Sequence, residues 1–200
     1  MVELIVAIAV IEIGIFSVWS LFLVNFNAER EAEMRIVGVN LAREGVEAVK
    51  NIRDSNWLKN AKNSVVVPDN PDSAIWPWDK FLEAGDYSAN YDSGAGGSAL
   101  PAAQFDQLYL NEDGFYTNLE SAQKTFYKRK ITLSDICCVD SDNNFQCDAD
   151  KSDYSTMESG GFCPPGSLKI GIDAVCNVTW EISGKPRNAI VEDRIFNWKQ

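Results

Sequence analysis

From Leu4 to Val24 the chain carries 21 residues of which 17 are apolar, interrupted by Glu12, Gly14, Ser17 and Ser20. At about 1.5 Å of rise per residue, such a run makes a helix roughly 31 Å long, the thickness of a bilayer's hydrocarbon core. Buried inside a 200-residue globule, it would need most of the remaining chain to cover it. A secretory signal fits poorly, because Glu3 stands where a basic region belongs and no small-residue cleavage site closes the run cleanly. The run is therefore expected to cross a membrane.

The helical pattern continues past the apolar run. Between Asn27 and Asp54, charges of both signs alternate, while Met34, Val37, Leu41, Gly45, Ala48 and Ile52 recur at spacings of three and four. That spacing lays them on one helical face, and acid–base pairs such as Glu31–Arg35 and Glu47–Lys50 support the solvated one. No proline occurs before Pro68, and Asp54-Ser55-Asn56 is the expected stop. One helix from about residue 3 to 54 is predicted, roughly 75 Å long.

Residues 56–200 alternate like an antiparallel sheet. Gln107–Leu110 and Gly114–Asn118 flank the turn signal Asn111-Glu-Asp-Gly114, and Phe126–Leu133 contains a strand. Leu168–Ile182 and Ala189–Trp198 flank Ser183-Gly-Lys-Pro186 and predict a C-terminal hairpin. Trp76 and Trp78 are expected to pack over a small core. The expected fold is α+β, a long N-terminal helix packed on an antiparallel β-sheet head. Its parts are a helix over 1–55, membrane-embedded over 2–25 and amphipathic over 26–55, and an extracytoplasmic head over 56–200.

The net charge of −11 argues against nucleic acid as a partner, because phosphate is met by clustered cations. Histidine is absent, which removes Ser-His-Asp and Cys-His catalysis and imidazole metal ligands. No phosphate loop or nucleophile motif appears, and the chain is not expected to be an enzyme.

Val2-Glu3-Leu4-Ile5-Val6-Ala7-Ile8-Ala9-Val10 resembles the N-terminal signature of type IV pilins and type II secretion pseudopilins, in which a glutamate opens a long apolar helix leading into a β-sheet head. Asn40–Trp57 and the hairpin around Val178-Thr-Trp180 resemble a subset of bacterial pilin-like proteins. The Phe-Thr-Leu start of the family is not seen, and the glutamate stands third, where the mature family protein has two more residues before it. The resemblance implies a subunit cleaved by a prepilin peptidase, methylated at its new N-terminus, held in the cytoplasmic membrane and then polymerised by a pilus machinery into an extracellular filament. The alternatives are a minor pilin or type II secretion pseudopilin and, from another class, a non-polymerising, membrane-anchored calcium-binding adhesion protein. Extension would need an outside motor, and a host or surface ligand is left open.

A carboxylate within hydrocarbon costs about 2.5–3.5 kcal/mol on insertion scales. The first basic residue after Glu3 is Arg30, too far along the helix to pair with it. A partner from a second copy, such as its N-terminal amine, would neutralise Glu3 and set the axial register between subunits. Glu12 lies nine residues on, near the opposite face, and is the second candidate for assembly.

Residues 137–153 hold five aspartates against one lysine. Asp140, Asp142, Asn144 and Asp148 occupy positions 1, 3, 5 and 9 of an EF-hand-like loop, with Asp150 or Asp153 in reserve. Phe145 and Lys151 break the pattern where the turn glycine and the bidentate glutamate belong. Oxygen ligands at this spacing suit Ca²⁺, and the calcium sites of pseudopilin heads point the same way by resemblance. Cys137, Cys138, Cys147, Cys163 and Cys176 read as disulfides in an extracytoplasmic domain, two bridges with one thiol left over. Many pairings are open. Cys138–Cys147 would close the acidic loop, and Cys163–Cys176 would tie the segment before residue 168 to its strand.

Overall fold

A computed structural model describes residues 2–63, 77–89, 99–102, 106–120, 123–139, 153–157, 160–165 and 167–197. The protein is α+β: one long helix followed by an antiparallel sheet. The chain divides into two compact units, Met1–Val37 and Gly38–Gln200.

Helix α1 spans Val2–Asn63, which carries it past the stop expected at Asp54-Ser55-Asn56. The last residue of that stop signal serves tertiary packing instead, while Asp54 stays exposed and pairs with the adjacent Arg53. Asn56 is fully buried and its amide nitrogen donates to the carbonyls of Trp78 at 3.1 Å and Lys80 at 2.9 Å. Trp57 is buried one residue later, with the Arg53 guanidinium 4.6 Å above its ring. Local propensity for a stop is weak against such contacts.

Among the described residues the sheet has seven strands: β1 (Gly85–Tyr87), β2 (Asp106–Leu110), β3 (Tyr116–Thr117), β4 (Gln123–Val139), β5 (Asp153–Thr156), β6 (Lys169–Ile182) and β7 (Lys185–Phe196). The main order is β3-β2-β4-β6-β7, and all pairs are antiparallel. The 17-residue β4 is the spine. Along one edge it pairs with β6 from Lys128 to Cys137. Along the other, β2, β1 and β5 pair in succession with its start, middle and end.

Both hairpins follow from local chemistry. Gly114 turns the chain between β2 and β3 with φ +84°, as the Asn-Glu-Asp-Gly signal predicts. Ser183 and Gly184 join β6 to β7 with φ of +51° and +75°, the double left-handed conformation of a two-residue type I′ turn. The register then runs without interruption from Ile182↔Lys185 to Gly171↔Phe196.

Within the second unit, α1 packs on one face of the sheet. Leu41, Ala42, Val46, Val49 and Ile52 are buried from the helix, facing Ile131 and Leu133 of β4 and Ile172, Ala174, Cys176, Val178 and Trp180 of β6. Two helical glycines let the backbone come close. A Cβ at Gly45 would lie 2.5 Å from Cys176 Sγ, and one at Gly38 would lie 2.6 Å from the Trp180 ring. Buried Arg129 ties the layers together by donating to the carbonyls of Leu41 at 3.1 Å and Ala89, and by pairing with Glu44 at 3.2 Å. Lys50 reaches Asp193 of β7 at 2.7 Å.

Candidate functional site

The first unit is the leading candidate because its chemistry is unspent. Every side chain from Val2 to Glu33 is exposed, including Phe16 at 73% and Trp19 at 61%. Its most apolar 18-residue window has a mean hydropathy of 2.4 and none of it is buried. The helix is long and apolar enough to cross a membrane.

Its few polar groups fall in two categories. The Ser17 hydroxyl donates to the Ile13 carbonyl at 2.8 Å, so it is satisfied within its own helix, as a hydroxyl in hydrocarbon must be. The carboxylates have no such internal solution. Glu3 sits in the first turn, where a negative charge complements the helix dipole. Nine residues at 100° each place Glu12 half a turn away from it, so the helix does not bring the two acids together. Ala7, Val10, Gly14 and Ser17 share the face of Glu3, with nothing within 4 Å of where a Cβ at Gly14 would stand. Glu12 shares its face with Ile8, Ile15 and Trp19. The bulky side is organised by ring contacts, Trp19 against Phe22 at 6.3 Å between centroids and Phe22 edge-on to Phe26 at 4.5 Å.

The calcium candidates Asp140, Asp142, Asn144, Asp148 and Asp150 lie outside the described residues. Asp153 opens β5 opposite Val139. Among the described residues, no group of three or more Asp, Glu or Cys side chains is placed to hold a metal ion. Trp76 lies outside them as well, and Trp78 is half-buried.

The expected Cys163–Cys176 bridge is replaced by Cys137–Cys163, whose Cα atoms are 5.7 Å apart. Register explains the exchange. Cys176 lies in mid-strand opposite Ile131, six positions along β4 from Cys137, with its thiol against Gly45 under the helix. The segment bearing Cys163 crosses the far end of β4, held by Asp135 N donating to Gly161 O at 2.9 Å and Cys163 N donating to Asp135 Oδ2 at 3.0 Å. Adjacent strand residues point to opposite faces, so Cys137 and Cys138 enter separate bridges. Cys138 is also disulfide-bonded, and its expected partner Cys147 lies outside the described residues. Cys176 is a free, buried thiol whose pKa is pushed up to about 12, chiefly by burial and against the pull of Arg129. It is therefore a packing residue and not a nucleophile.

Sequence reasoning passed over the polar cluster at the same end of β4. Lys169 Nζ lies 2.7 Å from Asp135 Oδ1 and 3.4 Å from Asp79 Oδ2, and donates to the Leu82 carbonyl at 2.9 Å. No motif marks these residues, since they are 34 and 56 positions from one another along the chain.

Comparison of the chain with known protein families, curated proteins and solved structures finds no match.

Proposed function

We propose that this protein is a structural subunit that polymerises through its hydrophobic N-terminal helix into a type IV pilus-like filament. The observation that carries the reading is the fully exposed apolar helix of residues 2–26 with a carboxylate in its first turn. Lipid would cover this surface before assembly, and the helices of other copies afterwards. Lipid tails are as apolar as leucine, so apolar contact alone does not draw such helices together within a bilayer. Polar pairing supplies direction: Glu3 seeks a cation on a second copy, with the N-terminal amine as partner, and that pairing sets the axial register. Once copies leave the bilayer, the hydrophobic effect holds them, because separating them would expose the apolar face to water.

On this reading the globular unit faces solvent, the molecule is first held in the cytoplasmic membrane and then in a surface filament, and no catalysis is required of it. The prepilin peptidase and an assembly motor are the partners the resemblance supplies. A minor subunit or a secretion pseudopilin would use the same helix, and a non-polymerising anchored adhesion protein would keep it in lipid permanently.

The test is Glu3→Val in the native cell. The variant is expected to remain in the membrane fraction at normal abundance while sheared filaments containing this chain disappear. Normal filament yield from the variant would sink the register role of Glu3. Absence of this chain from sheared filaments of the unmodified strain would favour the anchored alternative.

A further inference from the structure

Asp135, Lys169 and Asp79 meet where β4 and β6 separate from the disulfide-bearing loop. A bulge between Ile136 and Cys137 brings Lys169 opposite Cys137, diagonal to Asp135. The side chains of Asp135 and Lys169 are only 7% and 17% exposed. Fully buried neighbours close the site: Ile172 is the register partner of Asp135, and Leu82 offers its carbonyl to Lys169.

The contact between the two charges is unusual in kind. Asp135 Oδ2 accepts a hydrogen bond from Cys163 N, but Oδ1 is buried without any hydrogen bond, although the Lys169 nitrogen is 2.7 Å from it. The nitrogen approaches outside hydrogen-bonding angles, so the pair lacks the geometry that makes a buried ion pair stable. Desolvation penalises both ions, and the missing hydrogen bond leaves that penalty poorly offset. A neutral product would remove it.

We propose that Lys169 and Asp135 condense into an intramolecular amide that ties β4 to β6. The Asp79 carboxylate, on the other side of Nζ, takes one proton from the ammonium. The freed amine lone pair forms a bond to Asp135 Cγ, the two departing protons are delivered to one Asp135 oxygen, and the C–O bond breaks to release water. Of the three ammonium hydrogens, one stays on the amide nitrogen and two leave in the water, and Asp79 returns to its carboxylate form. The step is redox-neutral and needs no co-reactant. Fixed proximity supplies the entropy that a bimolecular condensation lacks, and exclusion of water opposes the back-reaction. The amide would lie beside the Cys137–Cys163 bridge, giving this end of the sheet two covalent ties. The inference is independent of whether the protein polymerises.

The experiment is mass spectrometry of the full chain, purified from membranes in detergent, then reduced and alkylated so that disulfides do not contribute. The expected intact mass is short of the unmodified chain by one water, and trypsin releases the Asp135 and Lys169 peptides as one cross-linked species that survives reduction. Asp135→Asn is expected to mature to the same mass as the unmodified protein, because an asparagine would form the same amide by losing ammonia. Asp79→Asn is expected to leave a fraction of chains at full mass. A full-mass protein with cleavage after Lys169 would overturn the proposal. So would a missing water with the two peptides recovered separately, which is the signature of a cyclic imide within one peptide.

Discussion

Asp173 shows how a single residue of this protein sits against its own charge. It is 8% exposed on the face of β6 opposite the helix, and its Oδ1 has no hydrogen-bond partner. Burial raises its pKa above the ordinary 3.8, the nearby Glu192 and Asp193 carboxylates add to the rise, and Arg194 across the strand pair opposes it. The sign follows from proton linkage. Between the unfolded and the raised folded pKa the native state holds the extra proton, so stability falls as pH rises through that window. Below about pH 3.8 both states are protonated and the effect vanishes. Asp173→Asn, a neutral stand-in for the protonated acid, is therefore expected to raise Tm at pH 7, with the gain shrinking as the buffer is taken towards pH 3.5. Thermal melts of the detergent-solubilised protein across that range check it, and an equal gain at both ends would assign the effect to something other than charge. Nothing in the alternation of Leu168–Ile182 marks Asp173 as buried. Its neighbours are set by strand pairing, with Ser134 of β4 and Arg194 of β7 as its register partners.

At the scale of elements, the apposition of α1 and β6 is decided by volume. Gly45 fell within the helical stripe read from the sequence, where any small residue would have served. The structure gives glycine a specific reason, since a Cβ would meet Cys176 Sγ at 2.5 Å and Ile131 Cδ1 at 3.3 Å. Alanine would gain about 1 kcal/mol of helix propensity over glycine. Overpacking a filled core costs about 1–3 kcal/mol, so the clash should prevail. Gly45→Ala is expected to lower Tm, and adding Cys176→Ala, which vacates the sulfur position, is expected to restore most of the loss. A single variant as stable as the unmodified protein would show that helix and sheet can slide apart at little cost. The β6–β7 hairpin illustrates the opposite case. Its existence is legible in Ser183-Gly-Lys-Pro186 between two alternating runs, but the turn is only Ser183 and Gly184, and β7 begins at Lys185 with Pro186 already paired, not at Ala189. Helix length was less legible, because Asp54-Ser55-Asn56 resembles a stop until the distant carbonyls of Trp78 and Lys80 recruit Asn56.

For the whole molecule, net charge is spread at the same density over both parts of the chain but is concentrated within the second. Residues 1–55 carry 5 basic and 8 acidic groups and residues 56–200 carry 13 and 21, and half of the latter's net −8 lies within 137–153. An acidic loop bounded by cysteines would be held together at the cost of mutual repulsion, which a divalent cation would relieve. If the loop binds calcium, Tm of the full chain in detergent is expected to rise between EDTA and millimolar Ca²⁺, and Asp142→Ala is expected to abolish the difference. No shift in the unmodified protein would reject the calcium reading while leaving the filament reading intact, since the latter rests on the N-terminal helix.

The apolar helix, its amphipathic continuation, the antiparallel class of the sheet and the presence of both hairpins are legible in the residues alone. Each depends on residues within a few positions of one another, where period and turn chemistry act directly. Three meetings emerge only once the chain is folded: Cys163 pairs with Cys137 and not Cys176, Arg129 is buried across from Leu41 and Glu44, and Asp135 meets Lys169 and Asp79. The last of these meetings depends on the register of β4 against β6, including one bulge; the disulfide depends on which loop crosses the end of β4, and the Arg129 contacts on how α1 packs on the sheet. A one-residue slip turns every side chain to the other face, so register is set by the summed packing of the sheet and is not written in any local segment.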